Sequence, residues 1–450
     1  MVDETDPAAI ASLAGFGDVP DRPPDPWFNP YRQPATDRAC AIARDVAGQL
    51  QVVEKCRGLR ARRRKARDQE TFEEIVAAVV ADVIHHYLSG SPGDGLVVSR
   101  SKKILGRASR YRPPVFAEGF RHVLNLLSSP EMEFVQQRVG QQLHPARRTT
   151  IKADTRLVSR IEEHGLTFAD LTLSDAEEVI ILKKPKAHFL ADRADLQEYD
   201  DTDTTRRYRD EVRAINAWLA NADISFDGAA AAHGLDAGAA GLVAGADASE
   251  RRLRRYFTLG SFESGGRLFG GFWQGLPKDA RLRGLRIDGE PVVSLDYSQL
   301  NPRTAYSIAG TKPAEGDAYT LPGLEDYRDG VKRVFNAMLF ATKRLQKVPR
   351  GVRAELPKKV TIHDITSGLL AKHPGLLSVF HTGSGHRLMW IESEIMVRVL
   401  LSLEDRRVLG LPVFDAVVAK ASEEQTVRQV MEECFHAITG LTVVVKREER

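Results

Sequence analysis

Asp296 and Asp415 are the two side chains of this 450-residue sequence best placed to do chemistry. Asp296 closes the run Val292, Val293, Ser294, Leu295, which reads as a strand of apolar and small residues. A carboxylate at a strand end is fixed by the strand, and the loop that follows leaves room for a substrate. Asp415 lies in LPVFDAVVAKAS, a β-rich apolar run with no charged residue nearer than Lys420. Burying a lone carboxylate is costly unless it meets a cation or a metal. A β-hairpin presenting Asp415 beside Asp296 would make a two-carboxylate site for Mg²⁺.

A third feature is a helical stripe. In EDYRDGVKRVFNAMLFATKR, residues 325–344, Arg328, Lys332, Asn336 and Phe340 stand four apart. An α-helix drifts only ~40° per four residues, so these side chains share one face. Guanidinium, ammonium, amide and ring match, in order, the phosphates, sugar and base of a nucleoside triphosphate. Val331, Phe335, Met338 and Leu339 supply the opposite, buried face.

The elements that must position these residues fill the chain after residue 250. Strand-like runs fall at Arg267–Phe269 and at Pro291–Tyr297, the second with a lead-in at Leu285–Ile287. Gly265, Gly266, Gly270 and Gly271 bracket the first. The expected class is α+β, with a mostly helical N-terminal half. Asp364, in TIHDITSGLL, has helical flanks and is ranked below Asp415. His373, His381 and His386 are scattered across Pro and Gly turns, which argues against a His-Asp phosphohydrolase. A nuclease using Asp296 and Asp415 is a further alternative.

Net charge is only +3, but it is unevenly distributed. Residues 1–36 carry six acids, two arginines and seven of the 22 prolines, and read as a disordered or loosely docked arm that Trp27 and Phe28 could pin. Residues 37–160 carry 23 Lys/Arg against 13 Asp/Glu, an excess suited to a nucleic-acid-facing region. Its candidate phosphate contacts are Arg62, Arg63, Arg64, Arg110, Arg112, Arg147 and Arg148. Thr71 and Glu74 fit a capping box that would open a helix. Further on, a strand at Leu96–Val98, a basic polar stretch, an amphipathic helix (Phe116, Phe120, Val123, Leu124, Leu127) and two β-like segments (Phe134–Val139, Thr149–Ala153) follow the order of a winged helix. Residues 161–249 read as mostly helical. Asp200, Asp201 and Asp203 are expected to cap a helix rather than bind metal. The Ala/Gly-rich stretch 228–249 reads as a loop.

Cys40, Cys56 and Cys434 are too few and too scattered for a disulfide framework or a cysteine zinc site. No apolar run approaches the ~20 residues that cross a bilayer, and the N-terminus is acidic where a secretory signal is basic. The expected location is the cytoplasm.

The order of these motifs resembles the family A polymerase superfamily, which includes DNA polymerase I-type enzymes and single-subunit phage-type RNA polymerases. DYSQLNPR (Asp296–Arg303) is similar to motif A, RDGVKRVFNAMLFA (Arg328–Ala341) to motif B, and LPVFDAVVAKAS to motif C. GGRLFGGFWQGLP (Gly265–Pro277) is similar to the primer–template segment before motif A, and LMWIESEIMVRVLL (Leu388–Leu401) to the helix before motif C. The resemblance covers residues 250–450 as palm and fingers, and would make 161–249 thumb-like. It implies a template-directed nucleotidyltransferase with two Mg²⁺ ions on Asp296, Asp415 and the Tyr297 carbonyl. It implies Arg328 and Lys332 on the phosphates, Asn336 and Phe340 near the sugar and base, and Asn301 beneath the sugar. Arg267 and Arg303 would face a DNA primer–template. Glu392 or Glu394 would form salt bridges or assist the metals. A small replication or priming enzyme of a phage or mobile element fits this architecture. The departures are Asn301 for the motif A Glu, Phe340 and Ala341 for the motif B Tyr-Gly, and Phe414 and Ala416 in motif C. They leave the choice between deoxy- and ribonucleotides open. They also keep a non-catalytic DNA-binding replication initiator with a degenerate polymerase fold as an alternative.

Overall fold

A computed structural model describes residues 25–90, 93–106, 108–141, 147–186 and 194–448. Most of the expected arm, residues 1–24, lies outside them. The chain divides into two compact units, one ending at Glu178 and one beginning at Val179.

In the N-terminal unit the arm's end is anchored. Phe28 is buried against Phe116 and Phe120, while Trp27 stays exposed beneath the Arg148 guanidinium. Strand β1 (Arg32–Pro34) follows, then helices α1 (Asp37–Cys56) and α2 (Ala66–Ser89). Thr36 caps α1 by accepting the Ala39 N–H. The expected capping box at Thr71 and Glu74 falls inside α2 instead. Arg67, Gln69 and Glu70 are good helix formers and Asp68 suits the first turn, so the helix begins at Ala66.

The chain continues through β2 (Leu96–Val98), a single turn α3 (Lys102–Leu105), α4 (Phe120–Leu127), β3 (Val135–Arg138) and β4 (Thr149–Ala153). The three strands form one antiparallel sheet in the order β2-β4-β3. Phe120, Val123, Leu124, Leu126 and Leu127 of α4 are buried, the face its apolar spacing requires. Helix α5 (Thr155–Glu163) and strand β5 (Leu171–Leu173), paired with β1, complete the unit.

The C-terminal unit opens with β6 (Ile180–Leu182), α6 (Asp203–Asn221) and β7 (Ile224–Phe226). Thr202 caps α6, Asp203 lies in its first turn, and Asp201 pairs with Arg209, so these acids serve the helix. The stretch 228–249 is not a loop. It carries α7 (Gly228–Ala232) and α8 (Ala237–Ala244), because Asp227 and Asp236 cap them by accepting the Ala230 and Ala239 N–H groups. Alanine, the strongest helix former, does the rest.

Strands β8 (Arg254–Phe257) and β9 (Gly265–Phe269) form a sheet with β6. After α9 (Lys278–Gly284) come β10 (Leu285–Ile287) and the nine-residue β11 (Glu290–Ser298). The remaining elements are α10 (Leu300–Ala309), α11 (Arg328–Phe340), α12 (Ile362–Lys372), α13 (Gly385–Asp405), β12 (Leu411–Val413), β13 (Ala416–Lys420), α14 (Glu424–Thr439) and β14 (Val444–Arg447). The main sheet runs β12-β13-β11-β10-β7, with β14 also on β11. One face of β11 packs on α14, where Tyr297 donates its phenol to the Met431 carbonyl at 2.7 Å. Helices α11 and α12 enclose a separate core that includes Phe335, Met338, Leu369 and Phe380. Among the described residues no helix is long and apolar enough to cross a membrane.

Candidate active site

Register brings the two aspartates together. On β11, Asp296 lies opposite Ala416 of β13. Val413 pairs with Ala416, so Phe414 and Asp415 form the two-residue turn of the β12–β13 hairpin. That places Asp415 one residue from the partner of Asp296. Phe414 takes a φ of +57°, a left-handed conformation unusual for a bulky side chain. Its ring stands edge-on to Phe269 at 5.8 Å, and the Arg267 guanidinium lies 5.4 Å from its centre.

Both carboxyls are held above the ordinary carboxylate range. For Asp296 the main cause is burial, followed by the negative charges of Asp415 and Glu448, while Lys332 opposes them. For Asp415 burial is again the main cause, opposed by the charges of Arg267 and Lys332. Asp296 Oδ1 is buried without a hydrogen-bond partner. Two hard oxygen donors, close enough to repel and with an unsatisfied lone pair, suit a divalent cation. Among the described residues no three His, Cys, Asp or Glu side chains are grouped to hold a metal ion. The Tyr297 side chain is turned to the α14 face, so only its main-chain carbonyl could join the pair.

The α11 stripe forms as its spacing requires. Val331, Val334, Phe335, Met338 and Leu339 are fully buried, each contributing about 1.5–3 kcal/mol. Lys332 is exposed, and its charge acts on both aspartates. Arg328 is held by Asp317, which accepts from Nε at 3.1 Å and Nη2 at 2.6 Å, and it lies 5.1 Å from the centre of the Tyr319 ring. Asn336 accepts a 3.1 Å hydrogen bond from Asn301 Nδ2, linking α11 to α10. Phe340 stands edge-on to His386.

Some expected nucleic-acid contacts are otherwise engaged. Arg267 is buried, and Glu392 grips it through both oxygens at 2.7 Å. It is therefore a core ion pair beside Asp415 and not a surface grip on a template. Glu394 likewise pairs with the fully buried Arg255. Arg303 donates to the Thr442 carbonyl, which ties α10 to the approach of β14. In the N-terminal unit, the Arg64 side chain is covered by Glu54 and by the Phe72 ring. Arg110 is paired with Glu178, and Arg112 donates to the Leu105 carbonyl. Arg62, Arg63, Arg147 and Arg148 are exposed. Asp364 is exposed and caps α12 with Thr361.

Glu448 and Asp317 belong to the site but carried no motif. Glu448 lies beyond β14, accepts the Ser294 hydroxyl at 2.5 Å and acts on both aspartates. The only available signal was the alternation of VVVKREE, which puts Lys446 and Glu448 on one strand face. Asp317 could have been found only as an acid in the turn before the stripe.

No protein-family model matches this chain, and no curated protein does. Among solved structures, the chain is similar to the polymerase domain of Pol1 from M. smegmatis in complex with DNA primer-template and dNTP. Identity is 12% and the TM-score 0.29, over 84% of this chain and 68% of that one.

Proposed function

We propose that the C-terminal unit is a template-directed nucleotidyltransferase of the family A polymerase type, adding nucleoside triphosphates to a 3′-hydroxyl. The observation that carries this reading is the placement of Asp296, on the central strand, beside Asp415 of the adjoining hairpin turn, with a buried unpartnered oxygen on Asp296 and the Lys332 charge acting on both. Asp296, Asp415 and the Tyr297 carbonyl would hold two Mg²⁺ ions. When bound, such ions supply Lewis-acid activation of the hydroxyl and neutralisation of the leaving pyrophosphate.

The chain's own residues do the remaining work. Lys332 and Arg328 bind the triphosphate and offset charge as it builds. Asp317 fixes the direction of the Arg328 fork. The Asn301–Asn336 amide pair sits at the sugar, and Phe340 stacks near the base. Arg267, locked by Glu392, acts through Asp415, lowering the cost of its charge.

The N-terminal unit would recruit the DNA template. The order helix, strand, two helices and two strands, with sheet order β2-β4-β3, supports reading this unit as a winged helix. Arg62, Arg63, Arg147 and Arg148 are the phosphate contacts it leaves exposed. Replication or priming of a phage or mobile element is the setting this pairing suits.

Primer extension on a DNA template with Mg²⁺ tests the proposal, using deoxy- and ribonucleotides separately, with and without primer. The wild type should extend, and Asp415→Ala should lose about 10³-fold or more, the several kcal/mol expected of a metal carboxylate. Duplex binding with no incorporation under any condition would instead assign a non-catalytic DNA-binding protein. Release of nucleotides from a labelled strand without triphosphates would assign a nuclease.

A further inference from the structure

The N-terminal unit holds two arginines, Arg100 and Arg121, for which no ion pair with an acid is formed among the described residues. Arg100 follows β2, and Arg121 is the second residue of α4. Arg100 donates to Asn125 Oδ1 of α4 at 2.8 Å and to Gln137 Oε1 of β3 at 2.7 Å. It thereby joins α4 to β3. Each amide turns its oxygen to Arg100, and the Asn125 and Gln137 N–H₂ groups add donors beside it. Arg121 has no ion-pair partner among the described residues, and its Nε is buried without a hydrogen bond. Burial first, and then the Arg121 charge, hold the Arg100 guanidinium below the ordinary arginine range.

A folded protein rarely keeps a buried donor and a like-charge pair unsatisfied, since each costs stability. The cost is recovered when an anion enters. A phosphate oxygen fits the donor set, because guanidinium forks and amide N–H groups are its usual partners. Lys102 and Lys103 are exposed two and three residues beyond Arg100, and Arg147 and Arg148 are exposed before β4. These extend the positive surface further than one inorganic phosphate could use.

We infer that Arg100 and Arg121, with Asn125 and Gln137, form a phosphodiester-binding site for the backbone of duplex DNA. The inference rests on the reading of the N-terminal unit as the one that recruits DNA, not on catalysis by the C-terminal unit, and its test needs no triphosphate. Duplex binding is read without catalysis, so the two ideas can fail separately.

The test is fluorescence anisotropy of a short blunt DNA duplex with the full chain across a salt series, beside thermal melting with and without inorganic phosphate. Arg121→Ala should weaken binding several-fold. It should also flatten the slope of log K against log salt by about 0.9, the value for one phosphate no longer neutralised. Its melting temperature should equal or exceed that of the wild type, because a like-charge repulsion is gone. Inorganic phosphate should raise the melting temperature of the wild type more than that of the variant. Arg121→Lys, which keeps the charge, should retain the slope. Unchanged affinity and slope in Arg121→Ala would overturn the inference. So would equal losses of binding and melting temperature in both variants, which would assign the side chain to the fold. Phosphate stabilisation without any duplex binding by the wild type would also overturn it, leaving only a small-anion site.

Discussion

At the residue scale the site is a problem of unbalanced charge. Asp296 and Asp415 sit close together, and the charges of Lys332 and the locked Arg267 offset their burial and repulsion in part. The Asp296 carboxyl is raised above its unfolded value, so the folded protein binds its proton more tightly than the unfolded chain does. Stability from this group is full below the unfolded value, near 4, and is lost as pH rises through the raised folded value. Without added metal, the protein should therefore melt at a lower temperature as pH rises from mildly acidic to mildly alkaline. Asp296→Asn should remove much of that slope while abolishing incorporation. Melting curves across pH, with and without Mg²⁺, check this, since a cation that replaces the proton should restore the loss. The core pair is a separate case. Glu392→Ala removes the bidentate carboxylate from a buried guanidinium and should cost about 3–5 kcal/mol by denaturant unfolding. At the surface-facing end of the stripe, Arg328→Ala should raise the KM for the triphosphate about tenfold or more, the effect of removing a charge-assisted hydrogen bond.

At the element scale, α11 is the part that must stay in place. Gly330 lies between Arg328 and Lys332, and a Cβ there would come within 2.3 Å of the Glu355 carbonyl oxygen. Gly330→Ala should push the helix off the 353–356 segment, cost about 1–3 kcal/mol, and lower incorporation by displacing the stripe. Paired melting and extension assays check both effects. The stripe, the strand carrying Asp296 and the hairpin carrying Asp415 were all legible in the sequence, because each is a local pattern with its own period, although the strand runs on to Ser298 and does not end at Asp296. The partners of those residues were not. Asp317 meets Arg328, Glu392 meets Arg267 and Glu448 meets Ser294 only once distant segments pack, and each acid alone resembles any surface carboxylate. Arg267 was misplaced for the same reason, since nothing near it in the chain announces the acid that buries it. The 228–249 stretch failed differently. Its low complexity outweighed two aspartates spaced to cap helices.

At the scale of the whole molecule, the chain keeps two kinds of basic chemistry in two compact units. The C-terminal unit sets cations against its own carboxylates. The N-terminal unit also pairs arginines with acids, but among its described residues Arg121 has no ion-pair partner, and Arg62, Arg63, Arg147 and Arg148 are exposed. Duplex binding should accordingly depend steeply on salt, and Arg147→Ala with Arg148→Ala should reduce that dependence by about 0.9 for each phosphate no longer neutralised. A competition assay across ionic strength checks this without reference to catalysis.

The central claim is that Asp296 and Asp415 act as one site for nucleotide transfer. Single-turnover incorporation of one templated nucleotide, compared among the wild type, Asp296→Asn, Asp415→Asn and the double variant, tests it most directly. Each single change should cost nearly as much as the pair, because removing either carboxylate dismantles the shared site. Wild-type incorporation that survives either substitution, or losses that simply multiply in the double variant, would contradict it.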